Sequence, residues 1–158
     1  MDSISRRQVS LILAGLGAAS AQAQTERPGT TIHQEVDFTA TPTRIYEMLL
    51  DAKQFSACTQ DTAEIQPQPG GAFKLFGGRI EGRNVELVPN QRIVQAWRPA
   101  DWPAGVYSVV KFELVPRGSG TRIILDHAGF TQEKWEGLRE GWTIHYWNPL
   151  RKYLETAK

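Results

Sequence analysis

The chain has 158 residues, of which 41% are hydrophobic and 22% are charged, and its formal net charge is +1. That length suits one domain with a substantial core, and the composition excludes a disordered chain or a bundle of membrane helices. Because there is no basic excess to neutralise phosphates, we expect no nucleic-acid partner. Cys58 is the sole cysteine, so an intramolecular disulfide is excluded and stability must come from packing.

The first 23 residues have the pattern of an export signal. Arg6 and Arg7 precede an uncharged apolar run over 9–21, and Ala21-Gln22-Ala23 has the small-x-small pattern that a signal peptidase cleaves. The residues around the arginine pair resemble the twin-arginine export motif. The apolar run has about 13 residues, fewer than the roughly 20 that span a bilayer, so we expect no membrane span in the mature chain.

The expected mature protein is therefore periplasmic or secreted, and a membrane anchor formed by an uncleaved signal is the alternative. Cleavage after Ala23 would remove two of the 18 basic and one of the 17 acidic side chains, which leaves 16 of each. Residues 24–30 are polar and include Pro28 and Gly29, which is typical of a tether. The folded domain is predicted over 31–158.

Alternation of apolar and polar residues predicts a series of short strands. Ile32, Val36 and Phe38 share one face of the first strand, and Gln34 is the one polar exception on that face. Closely spaced turns rich in glycine and proline separate the later strands, which predicts antiparallel neighbours. The predicted strands cover residues 32–39, 73–76, 79–88, 92–98, 107–115 and 121–127.

Three helices are predicted beside the strands. Thr41 and Pro42 supply a capping hydroxyl and a first-position proline for a helix that continues to Leu50, and a second short helix or a turn is expected over 55–61. Thr131 is expected to cap the last helix, whose apolar residues recur at steps of three or four. That aromatic stripe comprises Trp135, Leu138, Trp142, Tyr146, Pro149 and Tyr153.

Two irregularities are expected within these elements. Ile80 occupies an even position whereas Val85 and Leu87 occupy odd ones, which predicts a β-bulge around 82–84 that bends the sheet. Pro149 removes one backbone hydrogen bond from the last helix, which predicts a kink over 145–149. The fold class is therefore α+β, a curved antiparallel sheet closed by a long C-terminal helix.

A series of short motifs between about residues 32 and 154 resembles the C-terminal domain of the activator of heat-shock protein 90 ATPase and its bacterial single-domain relatives. The matching motifs are Gly70-Gly71-x-Phe73, Gly82, Leu87-Val88-Pro89, Ile93-Val94, Trp97-Arg98, Trp102-Pro103, Gly120-Thr121 and Gly141-Trp142. This resemblance implies the helix-grip, START-like fold that lipid-transfer proteins and polyketide cyclases share. It implies no catalytic motif.

The site predicted from these patterns is a cavity between the sheet and the C-terminal helix. Flat aromatic rings that line such a cavity would hold an apolar or aromatic ligand. The candidate ligand-binding residues are Phe73, Gln95, Trp97, Trp102, Phe112, His127, Trp142 and Tyr146. Core packing is the competing interpretation of the tryptophans, and it is the preferred one for Trp142.

His127 is the one candidate for acid or base chemistry, because its phase with Ile123 and Leu125 points it inward. Asp126 faces the opposite side of the strand and cannot easily orient the imidazole, so a histidine with a structural hydrogen bond is the preferred interpretation. Cys58 is expected in the core. No metal-ligand spacing, nucleotide loop or nucleophile motif occurs, so we expect no metal and no cofactor.

Three functions stay open at this point. The first is a non-enzymatic domain that holds a small apolar molecule in the cavity. The second is a protein-interaction domain of the chaperone-activator type that uses the sheet edge and the Trp102 loop, although an exported chain would not meet a cytosolic chaperone. The third is a cavity enzyme that resembles the polyketide cyclases, with His127 as acid or base.

Overall fold

The computed structural model describes residues 28–157. The predicted export signal and most of the predicted tether lie outside the described residues. Within the described range, none of the helices has both the length and the apolar character needed to cross a bilayer.

Seven strands form one antiparallel sheet in the order β1-β7-β6-β5-β4-β3-β2. All six predicted strands are present, and a two-residue strand, β2, extends the sheet beyond β3. Together with the C-terminal helix, this sheet confirms the predicted α+β class and helix-grip architecture. The strands are β1 (Thr31–Phe38), β2 (Glu64–Ile65), β3 (Ala72–Leu75), β4 (Ile80–Val88), β5 (Arg92–Pro99), β6 (Ser108–Arg117) and β7 (Gly120–Ala128).

The inward phase predicted for Ile123, Leu125 and His127 is confirmed on β7. Alternate residues of β5 and β6 are buried in the same way, and the register aligns them across the sheet. His127 on β7 lies opposite Ile32 on β1 and opposite Val110 on β6. The opposite face carries ion pairs, including those of Arg122 with Asp37 and of Lys111 with Asp126. The buried residues that alternate along these three strands are Ile93, Gln95, Trp97, Ser108, Val110, Phe112, Leu114, Thr121, Ile123, Leu125 and His127.

The bulge on β4 lies just beyond its predicted position. The pairing of β4 with β5 shifts register between Asn84 and Glu86, so the extra residue is Val85 and not one of residues 82–84. Val85 is 57% exposed, whereas Asn84 is buried and its side-chain amide donates to the carbonyl of Gln66 at 2.9 Å. The bulge falls here because Asn84 finds an inward partner while Val85 can be left outside the ladder.

Two short helices, α1 (Pro42–Leu50) and α2 (Ala52–Thr59), join β1 to β2. The Thr41 hydroxyl accepts a hydrogen bond from the Arg44 N–H, as the sequence predicts for α1. α2 begins three residues earlier than predicted because the Asp51 carboxylate accepts from the N–H of Gln54 at 2.8 Å and caps it. Cys58 is buried on α2, and burial raises the pKa of its thiol to about 12.

The C-terminal helical segment changes geometry along its length. A 3₁₀ turn (Gln132–Lys134) leads into α3 (Trp135–Gly141), a π-helical segment follows over Trp142–Trp147, and α4 covers Asn148–Thr156. The predicted irregularity near Pro149 thus takes the form of π turns, in which the Asn148 N–H bonds the Thr143 carbonyl. They end immediately before Pro149, which has no N–H to donate.

The start of this segment differs from the predicted cap. The backbone of Thr131 is extended, but its side chain caps no backbone N–H. A side-chain hydrogen bond to Thr131 instead lowers the pKa of Glu133.

Gln34, the polar exception on the inner face of β1, ties the sheet to this helical segment. Its side-chain oxygen accepts from the Trp147 indole at 2.6 Å, and its amide donates to the Arg139 carbonyl at 3.3 Å. The interruption of the apolar pattern is therefore a polar attachment point for the helix.

Candidate functional site

A cavity of about 480 Å³ lies where α3 and the π-helical segment cross the ends of β4 and β5. This volume is in the range of small-molecule sites. Most of its lining is apolar, and the polar members Arg79, Asp101 and His145 are exposed. The remaining lining residues are Phe76, Ile80, Trp97, Pro99, Ala100, Gly137, Leu138, Gly141, Trp142 and Tyr146.

Aromatic rings form the inner wall of this cavity. The Trp97 and Trp142 rings are stacked, with centroids 5.6 Å apart and planes at 28°, and the Tyr146 ring lies 4.4 Å from that of Trp142. Phe76 completes the wall 5.5 Å from Tyr146, and it does so from a backbone φ of 53°, which is uncommon for an aromatic residue. The wall is therefore built by three separate segments that meet only in the folded protein.

Two polar atoms of this wall have no hydrogen-bond partner among the described residues. They are the indole nitrogen of Trp97 and the hydroxyl of Tyr146. Burial raises the pKa of Tyr146, and the nearby Trp97 indole opposes that shift. The Trp97 indole nitrogen and the Tyr146 hydroxyl therefore lie close to each other, and their contact is a weak hydrogen bond at most.

His127 belongs to a closed hydrogen-bond chain beside the cavity. The Trp142 indole N–H donates to His127 Nδ1 at 3.1 Å, and His127 Nε2 lies 2.8 Å from the Ser108 hydroxyl. Since an indole nitrogen can only donate, Nδ1 must accept and the imidazole proton sits on Nε2. The Ser108 hydroxyl then donates to the Trp97 carbonyl at 2.8 Å, so every member is satisfied.

This environment keeps His127 neutral. The side chain is completely buried, and burial lowers its pKa to about 3. The ring does not line the cavity, and both of its nitrogens are already engaged. The geometry is that of the structural histidine preferred from the sequence, since a general base needs a free lone pair that a substrate can reach.

Three of the eight predicted ligand-binding residues, Trp97, Trp142 and Tyr146, come together on the cavity wall, and five lie elsewhere. Phe73 and Phe112 are buried in the core, and Gln95 donates from its amide to Asn84 at 3.1 Å. His127 occupies the chain described above. These side chains point inward as predicted. Much of the inner face of the sheet, however, packs against core residues and does not border the cavity.

The fifth residue, Trp102, is buried in the loop between β5 and β6. The buried Arg98 side chain holds this loop, because its guanidinium contacts both the Trp102 carbonyl and the Glu81 carboxylate. The Tyr107 ring lies 5.9 Å from the same guanidinium. Trp102 therefore packs its loop against the sheet and does not cover the cavity mouth.

Sequence reasoning missed the residues that loops and small side chains contribute to the cavity. Phe76 and Arg79 lie in a turn, and Ala100 and Asp101 follow the end of β5. Gly137 and Gly141 were a readable signal, because two glycines four residues apart on the helix leave room on one face. No group of three potential metal-ligating side chains occurs within residues 28–157.

Two curated proteins are similar in sequence to most of this chain. The mouse protein named "Activator of 90 kDa heat shock protein ATPase homolog 2" is 28% identical over 128 residues, which are 81% of this chain and 39% of that protein. The Dictyostelium discoideum "Activator of 90 kDa heat shock protein ATPase homolog" is 32% identical over 120 residues, 75% of this chain and 31% of that protein. The chain thus spans about a third of the length of these curated relatives.

Solved structures show the same fold. The crystal structure of an HSP90 activator from Plasmodium falciparum matches with a TM-score of 0.75 and 24% identity, over 80% of this chain and 97% of that one. The solution structure of the Aha1 dimer from Colwellia psychrerythraea matches with a TM-score of 0.68 and 17% identity, over 81% and 98%. A family model described as "Activator of Hsp90 ATPase homolog 1-like protein" matches residues 39–155, and the chain belongs to that family.

Proposed function

We propose that the domain is a non-enzymatic binding module that holds a small apolar or aromatic molecule in the cavity under the C-terminal helix. The observation that carries the proposal is the 480 Å³ space bounded by Trp97, Trp142, Tyr146 and Phe76. Buried rings of this kind supply a large contact area at small entropic cost. The driving force would be removal of the ligand's apolar surface from water.

The hydrogen bonding of the surroundings supports binding over chemistry. His127, the acid-base candidate, is neutral, buried and saturated, and the exposed Arg79 at the cavity edge is paired with Asp61 at 2.6 Å. The cavity wall itself offers aromatic surface. Such a wall can hold and orient a molecule without transferring a proton.

Gly137 offers a direct test, because a Cβ added there would meet nothing within 4 Å. Gly137→Leu should place a branched side chain at the cavity without a clash inside the protein, and leucine favours the helix more than glycine does. We expect calorimetric titration with 2-acetylnaphthalene and with 2-isopropenylnaphthalene to give saturable binding to the wild type. Affinity for both should fall at least about tenfold in Gly137→Leu.

Gly137→Ala is the matched control, because it makes the same backbone change but adds only one methyl group. It should bind both probes within about threefold of the wild type. Absence of binding to the wild type, or equal binding by wild type and Gly137→Leu, would contradict the proposal. Native mass spectrometry of protein purified from its own cells would also give the mass of any natural ligand that stays bound.

A second candidate is a protein-interaction role of the co-chaperone type, which family membership favours. Tyr107 and Val109 are 46% and 53% exposed beside the Trp102 loop, and Val106 is 43% exposed. If these side chains contact a chaperone, adding the domain should stimulate the chaperone's ATP hydrolysis. Tyr107→Ser should remove that stimulation while Gly137→Leu retains it, and an unchanged hydrolysis rate with wild-type domain would contradict this role.

The location of the protein bears on the choice between these roles. We propose export by the N-terminal signal, with a mature chain that begins at Gln24. Intact-mass measurement of the protein from its own cells tests this. A mass that includes residues 1–23 would contradict cleavage after Ala23.

A further inference from the structure

The cavity under the C-terminal helix changes character between its floor and its mouth. The floor consists of four aromatic side chains that are between 2% and 7% exposed, Phe76, Trp97, Trp142 and Tyr146. A ligand in the cavity therefore has an inner end against buried rings and an outer end near water. The lining residues that are exposed, and that form the mouth, are Arg79, Ala100, Asp101, Gly137 and His145.

The side chains of the floor offer a ligand no hydrogen-bonding group. The Trp97 indole nitrogen and the Tyr146 hydroxyl have almost no accessible surface, so a ligand cannot reach them. The Trp142 indole nitrogen already donates to His127, and the Phe76 side chain is a hydrocarbon. A polar group at the inner end of a ligand would therefore lose its hydration without gaining a partner, which costs free energy.

Backbone carbonyls of the two turns beside the cavity already have donors within the protein. The Phe76 carbonyl accepts from the Arg79 N–H at 3.3 Å and from the Arg79 guanidinium Nε at 3.0 Å. The Arg79 carbonyl accepts from the Ala100 N–H at 2.9 Å, and the Pro99 carbonyl accepts from the Trp102 N–H at 3.1 Å. These turns therefore add hydrocarbon surface to the cavity and no acceptor that needs a ligand.

Asp101 gives the mouth of the cavity an acceptor that nothing else uses. Within residues 28–157, no ion pair or hydrogen bond engages its carboxylate. The charge of Arg79 is balanced by Asp61 at 2.6 Å, and the exposed His145 ring packs 5.8 Å from the Phe76 ring. Of the charged side chains that line the mouth, Asp101 is thus the unbalanced one, so the mouth favours a hydrogen-bond donor over a carboxylate.

We infer that the cavity ligand is an amphipathic molecule with one polar end, an alcohol or an amine, which stays at the mouth and donates to Asp101. Its hydrocarbon end fills the floor. This inference rests on the proposed function and adds the orientation of the ligand and the chemistry of its polar group. A carboxylate at the outer end would face the unbalanced charge of Asp101, and a polar inner end would be buried without a partner.

Three naphthalenes of nearly equal shape test the orientation by equilibrium dialysis. 2,6-Diethylnaphthalene has no hydroxyl, (6-ethylnaphthalen-2-yl)methanol has one, and 2,6-bis(hydroxymethyl)naphthalene has one at each end. The first hydroxyl can stay in water at the mouth, so the first two probes should bind within about threefold of each other. The second hydroxyl has to enter the floor and should lower affinity at least about tenfold. Equal costs for the two hydroxyls would overturn the inference.

Asp101→Asn tests the group at the mouth. Wild type should bind (6-ethylnaphthalen-2-yl)methanamine more tightly than 6-ethyl-2-naphthoate at pH 7. The ratio of their association constants should fall about two- to fivefold in Asp101→Asn, the effect of one exposed charge. Glu47→Gln is the matched control and should leave the ratio unchanged, because Glu47 is exposed on α1 and does not line the cavity.

Two results of this comparison would overturn the inference. One is an unchanged ratio in Asp101→Asn, and the other is tighter binding of the naphthoate than of the amine to the wild type. If none of the naphthalene probes binds the wild type, the proposed function itself fails. That result is distinct from binding that ignores the position and charge of the polar group.

Discussion

Trp142 and Tyr146 lie four residues apart in the same π-helical segment, both buried and both aromatic, yet their polar atoms have opposite fates. The Trp142 N–H begins a chain through His127 and Ser108 that ends at a backbone carbonyl. The Tyr146 hydroxyl has no partner among the described residues. One aromatic stripe thus combines a closed structural network with a buried hydroxyl that lacks a partner, and hydrogen-bond partners, not burial, separate the two.

The largest expected effect on stability comes from removing Trp142, the first member of the hydrogen-bonded chain. Trp142→Ala should reduce the free energy of unfolding by about 3 to 5 kcal/mol, because it leaves a large void and removes the donor to His127. Urea denaturation measures the loss. Ile144→Ala is the control, since Ile144 is 56% exposed on the same segment and should change stability by less than about 0.5 kcal/mol. A loss below about 1 kcal/mol in Trp142→Ala would contradict its place in the core.

Removing one link of the network should cost less. Ser108→Ala leaves the His127 Nε2–H without an acceptor in a fully buried position, and we expect a loss of about 1 to 3 kcal/mol in the same measurement. Ser119→Ala, in the exposed turn between β6 and β7, should be nearly neutral. Equal stability of the two variants would show that the network contributes nothing.

The network should also make stability depend on pH. An unfolded histidine titrates near pH 6.5, whereas the folded pKa of His127 is about 3, so the unfolded state binds the extra proton between these values. Stability should therefore fall as the pH decreases through this window, by about 1.4 kcal/mol per pH unit well below 6.5. Denaturation at pH 7 and pH 5 in wild type and His127→Gln isolates this contribution, which the variant should lack.

His33 acts in the opposite direction and serves as the internal contrast. The Asp126 carboxylate raises the pKa of this exposed histidine, so its contribution to stability is present below the unfolded pKa and is lost as the pH rises through the folded pKa. Because solvent screens the pair, its effect should be smaller than that of His127. If His33→Gln removed the acid sensitivity instead, the assignment to His127 would be wrong.

The smallest effect is expected from removing the Tyr146 hydroxyl, and this change should raise stability. Tyr146→Phe removes a buried hydroxyl that has no partner, so without ligand the free energy of unfolding should rise by up to about 1 kcal/mol. Denaturation of ligand-free protein measures it. A loss of more than about 1 kcal/mol would show that the hydroxyl is hydrogen-bonded within the protein, as the Trp142 N–H is.

The sequence was informative wherever a side chain's direction follows from strand phase. The inward positions of β6 and β7 were predictable because a period of two fixes the face, and Gln34 was visible as a break in it. The two-residue strand β2 is too short to show a period. The bulge was misplaced slightly because phase identifies a slip but not which residue leaves the ladder.

The candidate site was less predictable because it depends on contacts between distant segments. Whether His127 meets a cavity or a serine depends on β6, and nothing in the order of residues around His127 gives Ser108 as its partner. Whether the Tyr146 hydroxyl has a hydrogen-bond partner depends on all the side chains that pack around it in the fold. Pro149 indicated an irregular helix. A kink and a run of π turns can each accommodate a proline that has no N–H to donate, so the sequence could not choose between them.

The stacking of the indoles gives the cavity an optical signature. Trp97 and Trp142 are stacked on its wall, and Trp147 stacks on Trp142 with centroids 5.8 Å apart and planes at 23°. Three chromophores in such close contact couple their electronic transitions, so their near-ultraviolet circular dichroism and emission depend on mutual orientation. A molecule that enters the cavity touches two of the three. The domain therefore carries its own label-free reporter of occupancy, at the place where occupancy is proposed.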